Sequence, residues 1–254
     1  MIPLRDDIPS RTTPYVNYTL IALNVLFFLV ELGMGADLEP FVRRAAVVPA
    51  AFTGPDRVFE AGDLALSLLD PGLRTRVLLS MFLHGGWMHL LGNMMFLWIF
   101  GDNVEDRCGH LKYVIFYLSC GYAATWGHIW SDPASRLPSL GASGAIAGVL
   151  GAYLFLYPHA RVITLLPLGF FSQIIQVPAV FFLGFWFLQQ FFFGVVEFSG
   201  EPGGGGVAWW AHIGGFVAGL ALVKLFARPE RPLPQPARDL WWDDRYPARR
   251  IRGW

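Results

Sequence analysis

Six apolar runs dominate this chain, each of a length that lipid, rather than water, has to surround. A helix crossing the hydrocarbon core needs roughly 20 apolar residues, within about 17 to 25. The runs are Tyr18–Met34, Met81–Phe100, Tyr113–Trp130, Gly141–Tyr157, Val177–Val196 and Val207–Phe226. Only 15% of the 254 residues are charged and 54% are hydrophobic. Soluble domains carry about a quarter charged residues, so this chain cannot coat a water-facing surface. Aromatics at 16% exclude a disordered chain. No block of basic residues interleaves with aromatics as a nucleic-acid site requires. The sequence predicts an all-α integral membrane protein with six transmembrane helices.

The stretches between the runs follow from the same rule. Val162–Phe171 is apolar but short and holds Pro167, which predicts an interfacial loop. The long first loop, Gly35–Arg76, contains the apolar pieces Ala45–Phe52 and Leu64–Leu69, broken by Pro49, Pro55 and Pro71. It can lie partly in the interface but cannot span. Six spans place both termini on one side of the bilayer. With both ends cytoplasmic, thirteen of the 19 Lys and Arg fall inside, which is the expected direction. The chain then divides into a cytoplasmic segment 1–17, a six-span domain 18–227, and a Pro-, Arg- and Trp-rich cytoplasmic tail 228–254 expected to be disordered. The first run lacks a small-residue cleavage site and reads as a retained span. Cys108 and Cys120 lie twelve apart, one inside an apolar run, so neither a disulfide framework nor a zinc site is expected. No metal or cofactor is predicted.

Polar residues inside lipid are costly and point to function. The second run carries His84, His89 and Asn93, the last two sharing a helix face. The fourth opens with Gly141-Ala142-Ser143-Gly144, and the sixth holds Ala211-His212-Ile213-Gly214-Gly215. All three runs point the same way across the bilayer, which brings Ser143, His212, His89 and Asn93 to one level near the outer face. Gly144, Gly148 and Gly151 form one stripe, and His212, Gly215 and Gly219 another. Small-residue stripes let helices approach closely, which would bring Ser143 within hydrogen-bond reach of His212. A serine needs a base to become a nucleophile, and imidazole has the right pKa range. Asn93, His89 and the Ser143 backbone N–H are candidate donors to a developing oxyanion. No Asp or Glu lies in the third to sixth runs, so a Ser–His dyad is the expectation. For the remaining polar groups, Glu31 is expected to snorkel from its span end, and Asn24, Gln189 and Gln190 to bond between helices. His84, His110, His128 and His159 are given no catalytic role.

The motifs His84-Gly-Gly-Trp-Met-His89-Leu-Leu-Gly-Asn93, Gly141-Ala-Ser143-Gly144 and Ala211-His212-Ile-Gly-Gly-Phe-Val-Ala-Gly219 resemble those of rhomboid-family intramembrane serine proteases. The segment Gly101-Asp-Asn-Val-Glu105-Asp-Arg107 is similar to the family's pattern too, and the resemblance covers about residues 14–227. It implies a six-transmembrane-helix bundle, Ser143 as nucleophile, His212 as general base, and His89, Asn93 and the Ser143 N–H as oxyanion hole. It implies that Glu105 and Arg107 tie helix ends together, and that the fifth span with Gly203–Gly206 as hinge moves to admit substrate. The implied substrates are transmembrane proteins, and the implied place is a bacterial cell (inner) membrane. Two departures stand out. Thr75 precedes Arg76 where the family often has tryptophan, and Ala147 stands where some members stack an aromatic on the histidine. Two other classes bear weighing: a catalytically inactive rhomboid-like adaptor or chaperone, and a secondary transporter, which would show an internal repeat that this chain lacks.

Overall fold

The computed structural model describes residues 1–53, 71–136, 138–168, 171–198 and 207–229. Nine α-helices and three strands are described: β1 (Ile2–Asp6), α1 (Tyr15–Gly33), α2 (Leu38–Ala45), α3 (Ala50–Thr53), α4 (Pro71–Ser80), α5 (Trp87–Cys108), α6 (His110–Ser131), α7 (Ser143–Leu156), β2 (Arg161–Leu168), β3 (Phe171–Pro178), α8 (Ala179–Phe198) and α9 (Trp209–Phe226). The protein is mostly helical. Among the described residues three helices, α1, α8 and α9, are long and apolar enough to cross a membrane.

α1 is built inside out. Its buried side carries Asn17, Leu20, Asn24, Phe28 and Glu31, while Val25, Leu26, Leu29, Val30 and Leu32 are exposed. In lipid that is the stable arrangement, because side-chain polar groups need partners inside the protein. The first-turn backbone donors at its N-terminus meet the buried Glu105 carboxylate, which accepts from Val16 N–H at 3.0 Å and Asn17 N–H at 2.7 Å. The orphan amides of a first helical turn favour such an anion. Around it, Asn17 donates to the Leu97 carbonyl, Tyr113 donates to Asn17, and His110 Nδ1 lies 2.5 Å from Glu105. Arg107 donates to the Arg228 carbonyl at 3.2 Å and stacks over Tyr157. Glu105 and Arg107 thus join the ends of α1, α5, α6 and α9.

α7 is the centre of the molecule. Every residue from Gly144 to Tyr153 is buried, so its 14 residues, about 21 Å, are surrounded by other helices. A Cβ added at Gly219 would sit 1.9 Å from the Gly148 carbonyl oxygen, and one at Gly215 2.0 Å from that of Gly144. On the other helix, a Cβ at Gly151 would reach the Phe216 oxygen at 2.2 Å. The α7 and α9 backbones are therefore in direct contact along the two glycine stripes.

Several expectations need correcting. The molecule is not all-α: where a loop is expected over Val162–Phe171, residues 162–168 fall on β2 and Phe171 opens β3, a hairpin that β1 extends into a three-stranded antiparallel sheet. Val162 and Thr164 are buried while Arg161 is exposed, a period-two alternation that helical-length criteria overlook. Pro167 sits next to the hairpin tip, opposite Ser172. Within the N-terminal segment, β1 pairs Ile2 with Leu165 and Asp6 with Val162. Asp6 accepts from Tyr153 Oη at 2.5 Å and from Asn103 Nδ2 at 2.8 Å, and burial pushes its carboxyl up to about 6. Met81–Gly86 forms an irregular turn after α4, and α5 starts only at Trp87. Glu31 does not snorkel: it is 3% exposed and accepts from the His84 backbone N–H at 3.1 Å. Asn24 bonds within its own helix, to the Leu20 carbonyl. The first loop contains α2, α3 and α4, with Val47 bridged to Ser139 and Phe52 packed with Val77 and Ile129. Leu64–Leu69, Gly203–Gly206 and the tail beyond residue 229 lie outside the described residues.

Candidate active site

Ser143 is the first residue of α7, placed by the turn that precedes it. Gly141 has φ of +119°, where a side chain would be strained, and its N–H donates to the Ser80 carbonyl at 2.8 Å. A Cβ there would also lie 2.7 Å from the His89 ring. Glycine is required twice over: by the backbone angle and by the imidazole that fills the space. The first-turn amides of α7 are open to a ligand, as at any helix N-terminus.

His212 enters from α9 as its fourth residue. Its Nε2 lies 2.8 Å from Ser143 Oγ, and its Nδ1 lies 2.8 Å from Gln190 Oε1 on α8. Two indoles frame the imidazole: Trp186 at 6.0 Å with an interplanar angle of 35°, and Trp209 edge-on at 6.3 Å. Ala147 is fully buried and contributes no ring, so α8 supplies the aromatic contact that α7 does not. Gln190 had been expected to bond between helices, and it does; the sequence gives no sign that its partner is His212.

His89 and Asn93 project from the first two turns of α5. Gly85 N–H donates to His89 Nδ1 at 3.3 Å, which in a neutral ring leaves the proton on Nε2, the atom beside Gly141. Asn93 Nδ2 donates to His84 Nε2 at 3.0 Å, while His84 Nδ1 donates to the Phe82 carbonyl at 3.3 Å. This assigns both ring nitrogens of His84 and leaves Asn93 one free amide proton. His84 was set aside by its position in the sequence, yet it holds Asn93 in place. Phe28 meets its ring edge-on at 6.5 Å, and His89 does so at 5.1 Å.

These groups share one cavity of about 1000 Å³, lined by His89, Asn93, Ser143, Gln190 and His212 among others. His128, Ser131, Asp132 and Ser139 give another part of its wall polar character. Among the described residues, no three His, Cys, Asp or Glu side chains are grouped to hold a metal. A hydroxyl bonded to an imidazole, with an N–H-rich wall beside it, can form and stabilise a tetrahedral adduct at a carbonyl carbon.

A sequence model of the Rhomboid domain matches residues 72–229. Rhomboid protease GluP of Bacillus subtilis is 33% identical over 82% of this chain and 35% of its own length. Rhomboid protein 1, mitochondrial, of Saccharomyces cerevisiae is 38% identical over 33% of this chain and 25% of its own length. Presenilin-associated rhomboid-like protein A, mitochondrial, of Danio rerio is 38% identical over 41% of this chain and 28% of its own length. The chain thus spans between a quarter and about a third of the length of these relatives. The glycine-packed α7 and α9, the serine and histidine they carry, and the extent of the match lead to one conclusion: the chain belongs to the rhomboid family of membrane proteins.

Proposed function

We propose that this protein is an intramembrane serine endopeptidase that cleaves peptide bonds in or near the transmembrane segments of other membrane proteins. The observation that carries the reading is the 2.8 Å contact between Ser143 Oγ and His212 Nε2 inside a polar cavity of a family whose named members include proteases. Ser143 Oγ attacks the scissile carbonyl carbon while its proton passes to His212 Nε2. Negative charge collects on the former carbonyl oxygen, which the Ser143 N–H, His89 Nε2–H and the free Asn93 amide proton stabilise. His212 then gives the proton to the leaving amine as the carbon–nitrogen bond breaks, leaving an ester on Ser143. Water adds to the ester carbonyl carbon as its proton passes to His212; the carbon–Oγ bond then breaks, His212 returns the proton to Ser143 Oγ, and the new C-terminal carboxylic acid leaves. Neither a metal nor a cofactor takes part in this scheme.

The membrane setting belongs to the same proposal. α1, α5, α6, α7, α8 and α9 form a six-helix transmembrane domain within residues 18–227, in a bacterial cell (inner) membrane with both termini cytoplasmic. The excess of Lys and Arg assigned to that side supports the orientation, and the Bacillus relative supports the setting.

The test uses purified full-length protein in lipid discs, with a fluorophosphonate probe and a model transmembrane substrate. Ser143→Ala and His212→Ala are each expected to abolish labelling and cleavage while melting close to wild type, and the double variant to be no worse than either. Appreciable cleavage by Ser143→Ala would overturn the assignment. Absence of labelling and cleavage in the wild type would favour an inactive rhomboid-like adaptor.

A further inference from the structure

We propose that Gln190 is the positioning residue of the Ser143–His212 pair: its side-chain carbonyl selects the imidazole tautomer that leaves Nε2 free to take the serine proton. The proposal rests on the reading of His212 as general base. A neutral imidazole carries one proton, on Nδ1 or on Nε2, and the partner of one nitrogen decides the state of the other. For Nε2 to accept from Ser143, Nδ1 must hold the proton and give it to an acceptor.

The orientation of the Gln190 amide decides whether it can be that acceptor. Its Nε2 donates to the Trp186 carbonyl one turn earlier on α8, at 3.3 Å, so its Oε1 faces His212 Nδ1 at 2.8 Å. Turned over, the amide would present N–H to Nδ1 and hold the wrong tautomer, with Nε2–H aimed at a serine that could no longer lose its proton. Gln190 is buried, 5% exposed, where it lines the cavity wall beside His212. The ring plane has separate supports in Trp186 and Trp209, which leaves tautomer choice as the distinct contribution of the amide. In a serine–histidine–aspartate triad the carboxylate holds the tautomer and also stabilises the imidazolium. A neutral amide does the first and little of the second.

The location of the residue has a consequence. Gln190 belongs to α8, not to α7 or α9, so the base has its acceptor only while α8 is seated. Trp210 Nε1 donating to the Gly194 carbonyl at 3.2 Å is a further bond holding that seat, and a Cβ at Gly194 would press on the Trp210 ring at 3.2 Å. Catalytic competence thus depends on the docking of a helix that carries neither reacting group.

The test compares wild type with Gln190→Leu and Gln190→Glu in full-length protein, reading kcat, KM, melting temperature and the ¹⁵N spectrum of the His212 ring, assigned by its loss in His212→Ala. Gln190→Leu, close in volume, is expected to lower kcat about tenfold to a hundredfold. KM should stay within about twofold, and the His212 signal should show mixed tautomers. Gln190→Glu is expected to recover most of kcat, because a carboxylate accepts from Nδ1; a role in packing alone would be harmed more by a buried charge than by leucine. Wild-type His212 with its proton on Nε2, or full kcat in Gln190→Leu, overturns the proposal. Either result with an inactive Ser143→Ala leaves the nucleophile assignment standing, so the two readings fail separately.

Discussion

Asn93 has two amide protons, and His84 occupies one of them. In the proposed mechanism the other meets the developing oxyanion, and a donor in such a place is worth about 10²–10³ in turnover. Asn93→Ala is expected to lower kcat by that order with little change in KM or melting temperature, read on a transmembrane substrate. His84→Phe keeps a ring against Phe28 but removes the acceptor that orients Asn93. It should lower kcat about tenfold, less than Asn93→Ala. A melting temperature that collapses in Asn93→Ala while kcat per folded molecule is unchanged would make the residue a packing device. Ser143, His212, His89 and Asn93 stand out in the sequence because each is a polar residue in an apolar run. His84 and Gln190 stand out as strongly, but their partners are invisible there: Gln190 reaches a residue 22 positions away, on a helix whose facing side only packing defines.

At the scale of elements, the serine–histidine distance is set by how closely α7 and α9 approach. With the Gly148 carbonyl oxygen 1.9 Å from the site of a Gly219 Cβ, Gly219→Ala must push the helices apart. Overpacking of that kind costs about 1–3 kcal/mol. A displacement of even a few tenths of an ångström also lengthens the 2.8 Å contact 7 residues away along α9. Gly219→Ala is therefore expected to lose fluorophosphonate labelling rate beyond its loss of thermal stability. Gly184→Ala on α8, where no atom lies within 4 Å of the added Cβ, is the control and should match wild type or melt slightly higher. Equal behaviour of the two variants would show that the stripe does not set the distance.

Across the whole molecule, the N-terminal strand ties the ends of several helices together. Asp6 joins β1 to Tyr153 on α7 and Asn103 on α5, while Ser10 and Thr12 donate to Asp102 and Asp106. Burial raises the Asp6 carboxyl from the usual range to about 6. A raised carboxyl binds its proton more tightly folded than unfolded, so its contribution is fully present below about pH 4 and lost as pH rises through about 6. In detergent, the melting temperature is expected to fall by a few degrees between pH 4 and 6.5, and this component should vanish in Asp6→Asn. Identical pH profiles for the two proteins would place the titration elsewhere.

The sequence by itself determined what depends on local period: apolar runs of membrane length, polar residues at helical spacing within them, and glycine stripes that require close helices. Those features are properties of a residue and its neighbours three, four or seven positions away. Membership of the rhomboid family was legible for the same reason, since its motifs are short and contiguous. Only the tertiary structure decided what the ring nitrogens of His84 and His212 face, that Gln190 and not a ring from α7 meets His212, and that Glu31 is buried against the His84 amide 53 residues away. It also turned residues 162–168 from a loop into a strand of a sheet completed by the N-terminus, with Asp6 bonded to a tyrosine 147 positions distant. A hydrogen bond between distant residues exists only once packing has brought its two ends together and removed the water that would otherwise satisfy them. No local pattern records that.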